Sequence, residues 1–574
     1  TSGNAEWASS YEINSELYNY NLTGNEGVVL GILDGQLLVE NSKGHIMMIM
    51  PPRSGKGITS IIPTLLKSWK KSVFVLDVKG ENYALTSGSR KQNLDNDILR
   101  FSLRSENSCR YNPLAEVRIN CPEEKEDIAY IAKELIRENS DMVKNGAYIA
   151  KARKIFSNVL TYLLYEDFWK NLDLDSFSVS NLTLTLKDVK SIFKSFSTFS
   201  EWIENIKDFE SFFDFENVQK KYPNNFYPDI LKKYDIQGNA KNLENSIFQL
   251  KKIMSDYKHD IEEYIDIINY SLSFLENSTI SNNLSGSDFK MIDIMNGKNP
   301  VSFYYVISPA DLLNESPILR IFMKQMIDKL TSEDLKENHK HELLLLMDEF
   351  SAPGRLECLE ESIGYLAGYK IKLMIILQSL YQLKKIYGEF EGFSSNCGIQ
   401  VFSQANDEIT AKYVSELLGK QKKTKSYFED YLLSSSEAMK LPSDKIIIKK
   451  FGRQPVQANK FIYFQDKEYY NYRKIPYVFS ESLYDRNMKY IPISSDLRKE
   501  FDYEYKYLPS KFAVKLMESN LKEQFKLLEI DRERQSKEEI DENFRNAYQE
   551  RVFGYKVKSA ELKKVQEIYK NIIL

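Results

Sequence analysis

The segment from Ile46 to Leu66 constrains the fold most. An apolar run, Ile46 to Met50, leads into Pro51-Pro52-Arg53-Ser54-Gly55-Lys56-Gly57, and a second apolar stretch follows. Strand, glycine-bearing loop and helix in this order make a phosphate-cradling P-loop. Successive backbone N–H groups wrap the phosphate oxygens, the lysine adds a point charge, and the helix aims its positive end at them. On this reading Arg53, Ser54, Gly55, Lys56, Gly57 and Ile58 hold the phosphates of a nucleotide. The pattern G-x-x-x-x-G-K-[ST] is broken twice, because Met50 stands at the first glycine and Gly57 replaces the hydroxyl residue that would hold magnesium. Taken alone, the segment is equally compatible with a glycine-rich turn carrying a solvated lysine.

A second feature narrows the choice. Leu343 to Met347 is an unbroken apolar run, the mark of a strand buried on both faces, and it ends in Asp348 and Glu349. Carboxylates at a strand's C-terminal end sit where open α/β sheets bind ligands. Asp348 is the candidate for organising magnesium, and Glu349 for polarising an attacking water. A third strand, Lys370 to Leu377, ends in Gln378, an amide placed to contact a γ-phosphate or the water beside it, or simply to close a strand-end hydrogen bond. Three polar groups at the ends of three apolar strands form a constellation that is rarer than any one motif.

Bulk properties bound the rest. A chain of 574 residues with 42% hydrophobic residues has room for two or more domains with substantial cores. A formal charge of −4 argues against a surface coated for nucleic-acid binding, while a local basic pore would not show in a sum. Cys109, Cys121, Cys358 and Cys397 are far apart and match no metal-ligand spacing, which suggests reduced thiols. His339 and His341 lie in a charged stretch and read as solvated. No apolar run approaches the ~18 residues that a membrane span needs.

Along the chain, Gly27 to Val39, with Asp34-Gly35 between apolar runs, predicts a hairpin, and Ser72 to Val78 predicts a second buried strand. Asp77, Lys79, Gly80 and Glu81 at its end suit either a ligand edge or a solvated turn. From Pro122 to about Asn296 the periodicity turns helical, with Ile247, Leu250, Met254, Tyr257, Ile261 and Tyr264 read as one long helix. Strands resume at Val301 to Ile307 and continue to Gly398 to Ser403. The expected fold is α/β, a RecA-like P-loop domain with an inserted all-α domain and a C-terminal helical extension. Its parts are residues 1–121 with the P-loop, 122–296 as the insertion, 297–487 with the acidic strand, and 488–574 as the helical module. Lys420, Lys422, Lys423 and Lys425 form a basic run that reads as solvated. Ser536 with Glu539 makes a capping box in the last region, whose pattern faintly resembles a J-like helical hairpin without its His-Pro-Asp tripeptide, so that a docking module is expected there.

The order of these motifs resembles the type IV secretion coupling proteins of the TraG/TraD class, within the HerA/FtsK group of pumping ATPases. The resemblance covers roughly residues 27 to 470. It is carried by RSGKG at Arg53 to Gly57, VLDVKGE at Val75 to Glu81, YNPL at Tyr111 to Leu114, SDF at Ser287 to Phe289 and MDEF at Met347 to Phe350. The stretch Gly354 to Leu373, QSLYQLKKIYG at Gln378 to Gly388, and SNC at Ser395 to Cys397 complete it. Glycine after the P-loop lysine is similar to the family pattern, whereas Met50 departs from it and puts the loop's first turn in question.

The resemblance implies an ATPase using ATP and Mg2+ that forms a homo-hexamer on the cytoplasmic side of the bacterial inner membrane, anchored by helices preceding Thr1. It implies recruitment of secreted effector proteins, relaxase-bound single-stranded DNA, or both, for delivery to other secretion-system components, with chaperone or adaptor proteins as further partners and the helical insertion helping to select cargo. Ring ATPases complete the site with an arginine from a neighbouring subunit. Arg355 is the candidate here, and it is equally placed to pair with Glu357 or another acid. Two other readings stand beside this one: a recruitment platform that binds nucleotide without turnover, and a cytoplasmic DNA translocase unrelated to secretion.

Overall fold

The computed structural model describes residues 5–484 except 120, 138–145, 174–177, 180–181, 210–240, 258, 337 and 423–428. The helical module expected at 488–574, and Lys423 and Lys425 of the basic run, lie outside the described residues. The chain divides into two compact units, one of Thr1–Ser102, Ile292–Leu313 and the residues from Ile327 onward, the other of Leu103–Met291 with Asn314–Met326.

An 11-stranded sheet organises the first unit. Its strands are β1 (Val28–Leu33), β2 (Gln36–Glu40), β3 (Ile46–Ile49), β4 (Ser72–Val78), β5 (Asp97–Phe101), β6 (Val301–Ile307), β7 (Leu343–Met347), β8 (Ile371–Leu377), β9 (Ile399–Phe402), β10 (Lys445–Lys450) and β11 (Val456–Asn459). In space they run β2-β1-β11-β10-β9-β3-β8-β7-β4-β6-β5. From β9 to β5 every pairing is parallel. From β2 to β9 every pairing is antiparallel. The expected hairpin is β1–β2, turned by Asp34 (φ 50) and Gly35 (φ 79), two left-handed residues that match the strand twist.

The parallel strands are buried along their whole length and mostly apolar, as strands packed on both faces are. Ile46, Met48, Val73, Val75, Leu344, Leu346, Met374 and Ile376 share one core cluster, each at alternate positions of its strand. The functional consequence lies in the register. Ile375 stands opposite both Met47 and Met347, so β3, β8 and β7 end nearly level. Lys56, Gln378 and Asp348 with Glu349 therefore emerge at one edge.

Helix α1 (Glu81–Gln92) follows β4 through a turn at Lys79 (φ 110) and Gly80 (φ 80). Asp77 starts it. Its buried carboxylate accepts from the N–H groups of Asn82 (3.3 Å) and Tyr83 (2.8 Å), two of the donors a helix start leaves unpaired. Asp77 is thus neither a ligand-edge group nor part of a solvated turn. Arg90, further along α1, is fully buried, and no carboxylate among the described residues pairs with it. Its guanidinium donates to Leu65 O (3.0 Å), Trp69 O (2.6 Å), Lys71 O (2.7 Å), Asn96 Oδ1 (2.9 Å) and Ser302 Oγ (2.5 Å).

Both rims of the sheet are covered. At β2, Val39 N donates to Leu22 O (2.7 Å) and Asn41 N to Asn21 O (3.3 Å). At β5, Glu481 N donates to Ile98 O (2.8 Å), and its carboxylate accepts from Ile98 N (2.6 Å). The strap that reaches β5 first crosses α1 at Gly88, where a Cβ would lie 2.0 Å from Pro476 O.

In the second unit the helix Gly146–Asn171 packs with Glu124–Leu135, Lys241–Asp256 and Ile261–Ser271. The stripe expected as one helix from Ile247 to Tyr264 is two helices, because the chain turns at Tyr257 to Asp260. The predicted solvation of the two histidines is also corrected. His339 is buried, with Nε2 on Leu330 O (2.7 Å) and Nδ1 on Asn296 (3.0 Å), and half-buried His341 sets Nε2 on Gly297 O (3.1 Å). Both serve as backbone ties. Among the described residues no cluster of three metal-type ligands occurs, and Cys109, Cys358 and Cys397 are buried.

Arg90→Met leaves three carbonyls and two side-chain acceptors without their donor, and should lower unfolding free energy by about 3 kcal/mol or more, measured by urea denaturation. Asp77 carries a pH signature. Burial, against the two N–H groups and with a smaller contribution from the Asp348 charge, raises its carboxyl from 3.8 to about 7. The folded chain then holds a proton that the unfolded chain has lost, so stability falls as pH rises between those values. Asp77→Asn should gain on the unsubstituted chain between about pH 5 and about pH 7, read from urea midpoints across that interval.

Candidate functional site

Met50, the departure at the first-glycine position, is fully buried and continues β3, its N–H donating to Leu377 O at 2.8 Å. Its φ is not positive, so the position has no need of glycine. The turn starts one residue later, with Ser54 N donating to Pro51 O at 3.1 Å, and the left-handed residues are Arg53 (φ 63) and Gly55 (φ 86). A Cβ at Gly55 or Gly57 would meet nothing within 4 Å, so the loop encloses open space. The helix that follows is wide-turned, with π geometry over Gly57–Ile61 and Thr64–Ser68. Ile58, its second residue, packs against the core rather than the loop's interior.

Lys56 crosses to the acidic strand. Its Nζ lies 3.1 Å from Asp348 Oδ1 and donates to Glu349 Oε1 (2.5 Å) and Asp348 O (2.9 Å). Burial works against the ammonium charge, but the two carboxylates together outweigh it and hold the lysine above its ordinary pKa. The second oxygens of the carboxylates are held separately. Asn82 Nδ2 donates to Asp348 Oδ2 at 3.0 Å, and Gln378 Nε2 approaches Glu349 Oε2 at 3.5 Å. Gln378 is steadied in turn by α2 (Leu380–Tyr387), whose Gln382 Oε1 accepts from Gln378 N at 3.1 Å and from Ser351 Oγ at 3.3 Å. Phe350, next to Glu349, stacks on Tyr387 at 5.5 Å, which packs the segment that carries the carboxylates.

The structure therefore brings Lys56, Asp348, Glu349 and Gln378 together at the mouth of a loop formed by Arg53, Ser54, Gly55 and Gly57. Arg355 is not among them. It is exposed and forms a bidentate pair with Glu360 (2.8 and 2.9 Å). Of the alternatives open in the sequence, the intramolecular ion pair is the one this chain makes on its own.

The donor set suits a triphosphate with a hard cation. Among the described residues Ser54 Oγ is buried without a hydrogen-bond partner, and Asp348 Oδ1, buried likewise, makes no hydrogen bond beyond its ion contact with Lys56. The N–H groups of Gly55 and Lys56 have no acceptor among the described residues. Donors, an acceptor carboxylate and a cation around open space fit phosphate and Mg2+ better than an apolar ligand. Asn82 and Gln382 escaped sequence reasoning. Asn82 comes directly after the recognisable run Val75 to Glu81, but its role depends on β4 and β7 being neighbours, which that run does not carry.

Residues 5–490 match the family described as Type IV secretory system Conjugative DNA transfer. The chain is 28% identical over 396 residues to Conjugal transfer protein TraG of Escherichia coli, an alignment that covers 67% of this chain and 56% of that protein. It is 28% identical over 495 residues to Protein VirD4 of Rhizobium radiobacter, covering 81% of this chain and 64% of that one. The chain thus spans less than two thirds of the length of these relatives. Among solved structures, the bacterial conjugative coupling protein TrwBdeltaN70 in complex with sulphate matches with a TM-score of 0.52 at 12% identity, over 80% of this chain and 94% of that one. The plasmid coupling protein TrwB in complex with ADP and Mg2+ matches with a TM-score of 0.50 at 12% identity, over the same shares. At such identity the likeness is one of fold.

Proposed function

Because the chain belongs to the type IV secretory system conjugative DNA transfer family, we propose that it is the nucleotide-driven part of a coupling protein, hydrolysing ATP to pass substrates to a secretion channel. The observation that carries this reading is the Lys56 ammonium bridging Asp348 and Glu349 at the open P-loop, with Gln378 on the far oxygen of Glu349.

Each residue has a task. The loop N–H groups and Lys56 bind the phosphates, and phosphate oxygens compete with the carboxylates for the lysine. Asp348, held through Oδ2 by Asn82, keeps Oδ1 for Mg2+, which when bound neutralises charge on the β- and γ-phosphate oxygens. Glu349, relieved of Lys56, accepts the proton of the attacking water. Gln378 orients that water or reads the γ-phosphate. Arg355 serves the neighbouring subunit of a hexamer once it leaves Glu360.

Relaxase-bound single-stranded DNA, effector proteins or both are the cargo, selected in part by the helical unit, with secretion components at the inner membrane as partners. Among the described residues no helix is long and apolar enough to cross a membrane.

Lys56→Ala should weaken ATP binding by at least about 100-fold. Glu349→Gln should bind ATP like the unsubstituted chain and lose turnover by about 100-fold or more. Both are read by fluorescent-nucleotide titration and phosphate release, at several protein concentrations and with and without single-stranded DNA. Undiminished turnover in Glu349→Gln would remove the assigned base, and binding without turnover under every condition would favour a recruitment platform.

A further inference from the structure

Lys460 follows β11 where the chain leaves the sheet, its backbone N–H donating to Asp444 O at 2.7 Å. Its side chain reaches back to the P-loop, and Nζ donates to the Ser54 carbonyl oxygen at 2.6 Å. The next carbonyl, Phe461 O, accepts from Thr59 Oγ1 at 2.9 Å, in the first turn of the helix after the loop. Two consecutive residues of one segment thus grip the loop and the start of its helix. The ammonium is half-buried. Burial pushes its pKa below the ordinary lysine value, against the smaller pull of Asp444.

The Ser54 carbonyl belongs to the same planar amide as the Gly55 N–H, which has no acceptor among the described residues. A cation on the oxygen draws electron density across that amide and makes the N–H at its other end a stronger donor. It also fixes the plane of a peptide flanked by two left-handed residues, Arg53 and Gly55. Such a peptide has few local restraints of its own.

We propose that Lys460 is a positioning residue for nucleotide binding, one that sets and polarises the Ser54–Gly55 peptide so that the Gly55 N–H meets a phosphate oxygen. The inference rests on the ATP-binding reading of the loop and adds to it a residue 406 positions away. Lys460 touches no reacting atom in this account. It acts through Ser54, so its charge and length matter while its bulk does not.

The test uses the full chain and a fluorescent ATP analogue with Mg2+, beside Lys56→Ala as control. Lys460→Met should weaken nucleotide binding about tenfold, with turnover at saturating ATP close to that of the unsubstituted chain, and Lys460→Arg should recover most of the affinity. Unchanged affinity in Lys460→Met, or a lower melting temperature without nucleotide as its sole effect, would overturn the proposal and leave the ATPase reading standing. No binding by the unsubstituted chain would remove the ATPase reading itself. A measurement independent of any variant is amide exchange on the unsubstituted chain, where ADP with Mg2+ should slow exchange at residues 458–462 as well as at the loop. Exchange at 458–462 indifferent to nucleotide would equally count against Lys460.

Discussion

A guanidinium that pairs with no carboxylate among the described residues anchors the P-loop unit of this chain. Arg90 is fully buried, and burial pulls its pKa down to about 10, so the fold keeps a charge where charge is costly. What compensates is a complete set of acceptors. Two are carbonyls at the C-terminal end of the P-loop helix, and the others belong to the approaches to β4 and β5 and to β6 itself. The negative end of the helix dipole and a buried cation meet there. The helix is thereby fixed at its tail, which leaves its head, at Gly57, free to face phosphate.

The site depends on a second arrangement of unlike charges. Lys56 lies between two carboxylates that would repel each other without it, and each carboxylate has its other oxygen held by an amide, Asn82 for Asp348 and Gln378 for Glu349. Asn82 is placed by the buried cap at Asp77, so the position of Asp348 is set from β4 as much as from its own strand. The consequence is a site assembled from four neighbouring strands, in which no side chain is oriented by its own loop alone.

Much of this was legible in the residues. Leu343 to Met347 can hardly be anything but a strand buried on both faces, and the charges that end it, like Gln378 after Lys370 to Leu377, mark the ligand edge. Lys56 was legible because loop, lysine and helix are contiguous. Illegible were the residues whose meaning comes from tertiary neighbours. Asn82 acquires its role from the pairing of β4 with β7, and Lys460 from a return of the chain to a loop formed hundreds of residues earlier. His339 looked solvated because its sequence neighbours are charged, whereas the fold turns the ring inward onto Leu330 O. The break between Ile247 and Tyr264 hid behind unbroken periodicity, since an apolar stripe continues through a turn when both helices pack on the same partner. Arg355 could be named as a candidate, but its pairing with Glu360 is a matter of rotamer and could not be read from spacing.

The covered rims of the sheet limit how copies of this chain can meet. A parallel sheet with open margins invites another strand to add, and stacked copies would then grow without a natural stop. Here residues near Leu22 occupy the margin at β2, and Ser480 and Glu481 occupy the one at β5, with backbone groups answered from within the same chain. Self-association is left to side chains on loops and helix faces. Contacts of that kind can loosen and re-form without tearing a hydrogen-bonded ladder, which favours reversible assembly over a fibre that accumulates.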